Sequence, residues 1–66
     1  MKLLDVVALS QDLPEHGLVK GQVGTIIENL APGVFEVEFA DAGGVPYAMP
    51  GIEEDSLIVL THERVA

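Results

Sequence analysis

The side chains that could do chemistry in this chain are two histidines, a few hydroxyls and eleven carboxylates, with no cysteine. His16 lies in a Pro-Glu-His-Gly segment, and His62 follows the last apolar run near the C-terminus. The hydroxyl candidates are Ser10, Thr25, Tyr47, Ser56 and Thr61. A nucleophile needs a base within about 3 Å that is itself oriented by a third group, and no spacing here predicts such a set. We interpret both histidines as solvated loop residues and expect a protein that is not an enzyme.

The carboxylates offer two clusters with the spacing of a possible cation site. Glu36 and Glu38 share one face of a predicted strand, and Asp41 follows just beyond it. The second cluster is formed by the consecutive acids at residues 53–55. Oxygen ligands of this kind suit hard cations, but neither cluster has the spacing of a calcium-binding loop. Acidic side chains on one strand face usually point into water. We therefore predict no metal site and no cofactor.

The distribution of charge excludes two classes of partner. Only Lys2, Lys20 and Arg64 are cationic, against eleven acids, and the formal net charge is −8. Nucleic-acid affinity rests mainly on cations that displace counterions from phosphates, and anionic membrane surfaces attract the same residues. We therefore expect binding to neither. The acidity is typical of a solubilising surface, with a functional acidic patch as the alternative.

Length and composition predict one small domain over residues 1–66. A chain of 66 residues that is 48% hydrophobic has enough apolar material for one compact core, with marginal stability. The apolar runs are too short to cross a membrane, and Asp5 interrupts the N-terminal segment before it could serve as a secretion signal. We expect a soluble, cytoplasmic protein.

The elements that must position these side chains are strands. Residues 34–39 alternate so strictly that Phe35, Val37 and Phe39 share one face, which predicts a half-buried strand. Residues 22–28 are rich in β-branched side chains and predict its hairpin partner. Pro32 and Gly33, in the connecting segment 29–33, fit the two central positions of a type II turn. Gly21 is expected to turn the chain into this hairpin, and Gly24 to let another strand approach closely.

Three further strands and one turn complete the predicted fold. The strands are residues 5–9, 45–49 and 57–61, and a single 3₁₀ turn is predicted over residues 52–56. The uninterrupted apolar run at 57–61 is typical of a strand covered on both faces. Pro46 cannot donate to a ladder, so residues 45–49 are expected at a sheet edge. This order of elements predicts an all-β, SH3-like barrel of about five antiparallel strands.

The chain resembles a known family of short bacterial and cyanobacterial proteins, the domain-of-unknown-function family 4926. The segments that carry the resemblance are residues 4–9, 12–18, 20–26 and 35–39 with the Tyr47-Ala48 pair. The resemblance implies an SH3-like barrel and brings no activity with it. Residues 21–26 are also similar to a strand of KOW modules and of the small barrel in nitrile hydratase β-type subunits.

The sequence predicts no catalytic set, no metal site and no cationic surface. It therefore favours a small non-catalytic module that binds another protein or a second copy of itself. Its expected contact surface is Tyr47 and Met49 on the edge strand, with Glu36, Glu38 and Asp41 as a charged rim. One alternative is an acidic inhibitor or antitoxin-like protein that caps a basic partner. Another is an accessory barrel of an enzyme complex, which the nitrile hydratase likeness suggests.

Overall fold

A computed structural model describes residues 1–60, which form six β-strands and two 3₁₀ turns. The strands are β1 Val6–Leu9, β2 Val23–Ala31, β3 Val34–Ala40, β4 Pro46–Ala48, β5 Gly51–Glu53 and β6 Leu57–Val59. The 3₁₀ turns are Pro14–His16 and Glu54–Ser56. Within residues 1–60 there is no α-helix, as the lack of helical periodicity in the sequence predicts.

All strand pairs are antiparallel and belong to one sheet with the order β4-β3-β2-β1-β6, in which β5 also pairs with β3. β4 and β5 therefore share one side of β3, while β2 occupies the other. This arrangement confirms the predicted all-β class. The closure of the sheet into an SH3-like barrel remains a prediction.

The predicted central hairpin is confirmed, with a longer first strand and a tighter turn. β2 continues to Ala31, which pairs with Val34, so that the connection shrinks to Pro32 and Gly33. Gly33 has φ +72°, the left-handed value that the third position of a type II turn requires. Two register shifts interrupt the β2–β3 ladder, and such bulges let the long hairpin bend and twist.

Three predictions about the C-terminal half need correction. The segment 52–56 is a 3₁₀ turn only at Glu54–Ser56, because Ile52 pairs with Phe35 and is buried as part of β5. The strand expected at 45–49 is only Pro46–Ala48, and Met49 lies between β4 and β5. The strand expected at 57–61 ends at Val59, and Thr61 lies outside the described residues.

The core lies on one face of the sheet and includes residues from five of the six strands. Its buried apolar members are Val7, Leu9, Leu18, Ile26, Phe35, Val37, Phe39, Ile52 and Leu57. The predicted inward face of β3 is thus confirmed. Gly24 is buried against β3, and a Cβ there would lie 2.7 Å from Val37 Cγ1 and 2.8 Å from the Glu38 carbonyl oxygen. This confirms the close strand approach expected at Gly24.

The connection between β1 and β2 is folded back on itself. Leu13 and Leu18 form a two-residue bridge around the first 3₁₀ turn, and Leu18 is buried in the core. The turn ends at Gly17 in the left-handed conformation, with φ +69°. Burial of Leu18 therefore holds the connection against the sheet, since an apolar side chain removed from water stabilises the folded state.

Candidate interaction surface

The edge of the sheet at β4 carries the two apolar residues that the sequence analysis selected. Within residues 1–60, β4 pairs with β3 alone. The side chains of Tyr47 and Met49 are 52% and 55% exposed, and Val45 beside them is also exposed. Pro46, with no backbone N–H to donate, lies on this edge as expected. The structure therefore places Tyr47 and Met49 in an accessible position at the edge.

Tyr47 is anchored although it is exposed. Its ring lies 6.5 Å from the ring of Phe39, centroid to centroid, at an interplanar angle of 42°. Its hydroxyl oxygen accepts a hydrogen bond of 3.0 Å from Nε2 of Gln22. A tilted aromatic contact of this kind contributes about 0.5–1.5 kcal/mol beyond the area it buries. These two contacts orient the ring of Tyr47 while about half of the residue stays exposed to solvent.

Met49 and the glutamates of β3 share the outer face of the sheet, opposite the core. Phe39 pairs with Ala48 and Glu36 with Gly51, so the same register puts Met49 across from Glu38. The partner of Glu36 on β2 is Glu28. Two like charges directly opposite each other on antiparallel strands are destabilising. The predicted rim residues Glu36 and Glu38 therefore belong to an acidic stripe, together with Glu28, that borders Met49.

Asp41, the third predicted rim residue, is exposed and also has a structural role in the loop before β4. Its Oδ1 accepts hydrogen bonds from the backbone N–H groups of Gly43 at 2.9 Å and Val45 at 3.0 Å. An aspartate that binds the backbone two residues further on stabilises a turn. The carboxylate therefore shapes the loop between β3 and β4.

The residues considered as catalytic candidates take structural positions. His16 is the exposed last residue of the first 3₁₀ turn. Ser56 is buried, and its Oγ accepts a hydrogen bond of 2.5 Å from Nε2 of Gln11. The Oγ of Ser10 donates to the backbone carbonyl oxygen of Asp55 at 3.3 Å. Both serines connect the end of β1 to the second 3₁₀ turn. His62, like Thr61, lies outside the described residues.

The described part of the chain, residues 1–60, has neither a cluster of metal ligands nor a membrane-spanning helix. No group of three histidine or acidic side chains in it lies close enough together to hold a metal ion. Nor does it contain a helix that is both long and apolar enough to cross a bilayer.

One cation and one acid form an ion pair at the start of the chain. Nζ of Lys2 lies 2.8 Å from Oδ1 of Asp5, and the backbone N–H of Lys2 donates to Oδ2 at 3.0 Å. These bonds, the side-chain one first, hold the pKa of Asp5 below its usual range, because hydrogen bonds to a carboxylate favour its charged form. The charge of Asp5 is therefore compensated, whereas the acidic stripe on β2 and β3 has no ion pair with a cation of residues 1–60.

A second exposed apolar surface was not predicted as a site. We call it the outer apolar face; its residues are Val6 and Ala8 of β1, Val23 of β2, Ile58 of β6 and Leu60 just after β6. The expectation that residues 57–61 are covered on both faces is wrong for Ile58, which is 53% exposed. The unbroken apolar runs in β1 and β6 were a signal, but strand pairing was needed to show that these side chains meet on one open face.

The described residues define a small, acidic, all-β domain with two exposed apolar surfaces. The chain belongs to the family described as Domain of unknown function (DUF4926), whose model matches residues 3–59. This match confirms the family resemblance drawn from the sequence. No curated protein and no solved structure matches the chain.

Proposed function

We propose that this protein is a small, non-catalytic, cytoplasmic interaction module that binds another protein or a second copy of itself. The observation that carries the proposal is the β4 edge, where Tyr47 and Met49 are both more than half exposed. Exposed apolar groups that adjoin a charged border are typical of contact surfaces. The acidic stripe with Glu36 and Glu38 supplies such a border beside Met49.

The edge suits side-chain contact better than the addition of a strand. β4 has three residues, the first of which is Pro46. A short strand with a proline presents few free backbone groups, which is one way in which proteins protect their edges. Affinity at this surface would then come from burial of Tyr47 and Met49. A fixed tyrosine loses little conformational entropy on binding, which favours it as an anchor.

The test compares the variant Tyr47→Ser/Met49→Ser with the wild type by sedimentation equilibrium and by pull-down from the native host. We expect the double variant to keep its circular dichroism spectrum and to lose self-association or the captured partner. The matched control is Leu3→Ser/Val19→Ser, which replaces two exposed apolar residues outside β4 and its neighbour β5 and should behave as wild type.

Two outcomes would refute this site. If the double variant unfolds while Met49→Ser alone behaves as wild type, Tyr47 acts through its contacts with Phe39 and Gln22 and belongs to the fold. If the folded double variant retains every complex of the wild type, the β4 edge is not the contact surface.

A second candidate function, an acidic cap for a basic partner, is favoured by the facing pair Glu28 and Glu36. A basic partner would relieve this repulsion and would associate faster at low salt. Glu28→Gln should stabilise the free protein by about 0.2–1 kcal/mol and slow its association with poly-lysine. Glu54→Gln, with the same change of charge in a 3₁₀ turn, is the control. An equal effect of both substitutions would contradict a specific role for the acidic stripe.

A further inference from the structure

The outer apolar face is built by strand register, which places its side chains side by side. Ala8 pairs with Val23 on one side and with Ile58 on the other. Val6 pairs with Thr25, and its carbonyl oxygen accepts a hydrogen bond from the N–H of Leu60 at 2.8 Å. Directly paired residues lie on the same face, with Cβ atoms about 4.5–5.5 Å apart. The face is therefore continuous across three strands.

The sequence of these strands is that of a covered surface. β1 and β6 are apolar at every position, and uninterrupted apolar strands are typical of sheets that are packed on both faces. Yet Val6, Val23 and Ile58 are 43%, 49% and 53% exposed. A single exposed apolar residue needs no explanation, but a contiguous patch of them marks a site of contact.

The charges on the same face indicate the nature of the partner. Thr25 on β2 pairs with Val6 on one side and with Glu38 of β3 on the other. On β3, the acidic stripe therefore lies directly beside the outer apolar face. Glu36 and Glu28 continue it along β3 and β2. No ion pair joins these three glutamates to a cation within residues 1–60. Within residues 1–60 the outer face therefore has an apolar half and an adjoining acidic half that no ion pair compensates.

This charge pattern disfavours a second copy as the occupant. Each chain carries a formal net charge of −8, and a symmetric contact through the outer face would bring two acidic stripes close together. Like charges brought together across an interface cost free energy, whereas opposite charges steer association and fix orientation. The partner that this face fits is apolar along one side and cationic beside it.

The width of the apolar half matches the diameter of one helix. Three strands at a spacing of about 4.8 Å span about 10 Å, which is close to the diameter of an α-helix. Building on the proposed interaction role, we propose that the outer apolar face binds an amphipathic, lysine- or arginine-rich helix of another protein. In this complex the apolar stripe of the helix covers β6, β1 and β2. The cationic flank of the helix contacts Glu36 and Glu38.

The experiment uses a synthetic amphipathic peptide of about 16 residues, long enough for about four helical turns, with leucines on one face and lysines along its flank. Binding to the full chain is followed by calorimetry, peptide helicity by circular dichroism, and the contact by amide chemical shifts. We expect the peptide to become helical and the largest shifts to occur at Val6, Ala8, Val23 and Ile58. The same peptide with glutamate in place of lysine should not bind.

Two matched pairs of variants locate the contact. Val23→Thr/Ile58→Thr keeps β-branched side chains in the strands and should weaken binding about tenfold, which corresponds to about 1.4 kcal/mol. Val45→Ser, an exposed apolar position in the loop before β4, should leave the affinity unchanged. Glu36→Gln/Glu38→Gln should weaken binding and flatten its salt dependence. The control Glu15→Gln/Glu54→Gln removes the same amount of charge in the two 3₁₀ turns. It should change neither the affinity nor its salt dependence.

Three results would overturn this inference. The first is binding that is insensitive to Val23→Thr/Ile58→Thr. The second is equal binding of the lysine and glutamate peptides. The third is self-association lost in Val23→Thr/Ile58→Thr with no peptide binding, which would assign the face to a second copy. The β4 edge is tested separately by Tyr47→Ser/Met49→Ser. A failure of the proposed helix-binding face can therefore be distinguished from a failure of the proposed β4 contact surface.

Discussion

Val6 and Val7 are identical neighbours on β1, and they lie on opposite sides of the sheet. Val7 is fully buried in the core, whereas Val6 is 43% exposed on the outer apolar face. The same contrast separates Leu57 from Ile58 on β6. Because successive side chains of a strand point to opposite faces, burial here follows position in the pleat rather than residue type. In β1 and β6 both faces are apolar, yet one is buried in the core and the other is exposed to solvent.

The largest effect expected on the inner face is that of Phe39→Ala. Phe39 is fully buried, and truncation of a buried phenylalanine costs about 3–5 kcal/mol. For a domain of this size that loss approaches the whole free energy of unfolding. Urea denaturation followed by circular dichroism measures it. An unfolding midpoint equal to that of the wild type would show that the core has been assigned to the wrong face.

Gly24→Ala adds a methyl group where β2 and β3 approach most closely. The new Cβ would lie 2.7 Å from Val37 Cγ1 and 3.0 Å from Phe39 Cδ1. Overpacking of this kind costs about 1–3 kcal/mol, again measured by denaturation. Gly43→Ala is the control, because a Cβ there meets only Oδ1 of Asp41, at 3.3 Å. Equal losses in the two variants would contradict a close strand approach at Gly24.

The comparison of the two faces is tested most directly by Val7→Thr against Val6→Thr. Threonine has nearly the shape of valine but introduces a hydroxyl, and burial of a hydroxyl without a partner costs about 1–3 kcal/mol on mutational scales. At Val6 the hydroxyl stays in water, so we expect a change within about 0.5 kcal/mol. Thermal denaturation of both variants gives the difference. If both lose the same stability, the outer face is covered in solution.

The turn before β1 carries backbone strain. Leu4 has φ +70° in a turn that the Asp5 N–H closes onto the Lys2 carbonyl oxygen at 3.1 Å. A left-handed conformation costs an L-residue about 1–2 kcal/mol, and glycine loses about 0.5–1 kcal/mol through its freer unfolded chain. Leu4→Gly should therefore stabilise the protein by about 0.5–1 kcal/mol in denaturant titrations. Leu3→Gly, where φ is not positive, should destabilise it.

The smallest expected effect concerns the exposed ion pair of Lys2 and Asp5. Its hydrogen bonds lower the pKa of Asp5 in the folded state, so their contribution is present above the unfolded pKa of about 3.9 and is lost as pH falls through the folded value. Lys2→Met should raise the pKa of Asp5 in a carboxyl-carbon NMR titration, and Lys20→Met should not. An unchanged pKa in Lys2→Met would show that the pair does not persist in solution.

Much of the fold followed from local pattern. The alternation of residues 34–39 identified β3 and its buried face, and Pro32 with Gly33 located the turn of the central hairpin. Pro46 placed β4 at an edge because proline lacks the donor that a central strand needs. β5 was missed, since Ile52 has only acids after it and becomes a strand residue through its pairing with Phe35. Residues 51–53 form a strand because they pair with β3, which is distant in the chain, so the local sequence alone does not predict β5.

The candidate sites divide in the same way. Sequence by itself determined the charge of the domain and its apolar strands, because these depend on composition and on the period of two. Pro46 indicated the sheet edge at which Tyr47 and Met49 are exposed. Only the tertiary structure decided that Asp41 shapes a loop, that Glu28 faces Glu36, and that Val23, Ala8 and Ile58 meet on one open face. These relations join residues from separate strands. They depend on strand order and register, which strand pairing sets and which no single segment of the chain encodes.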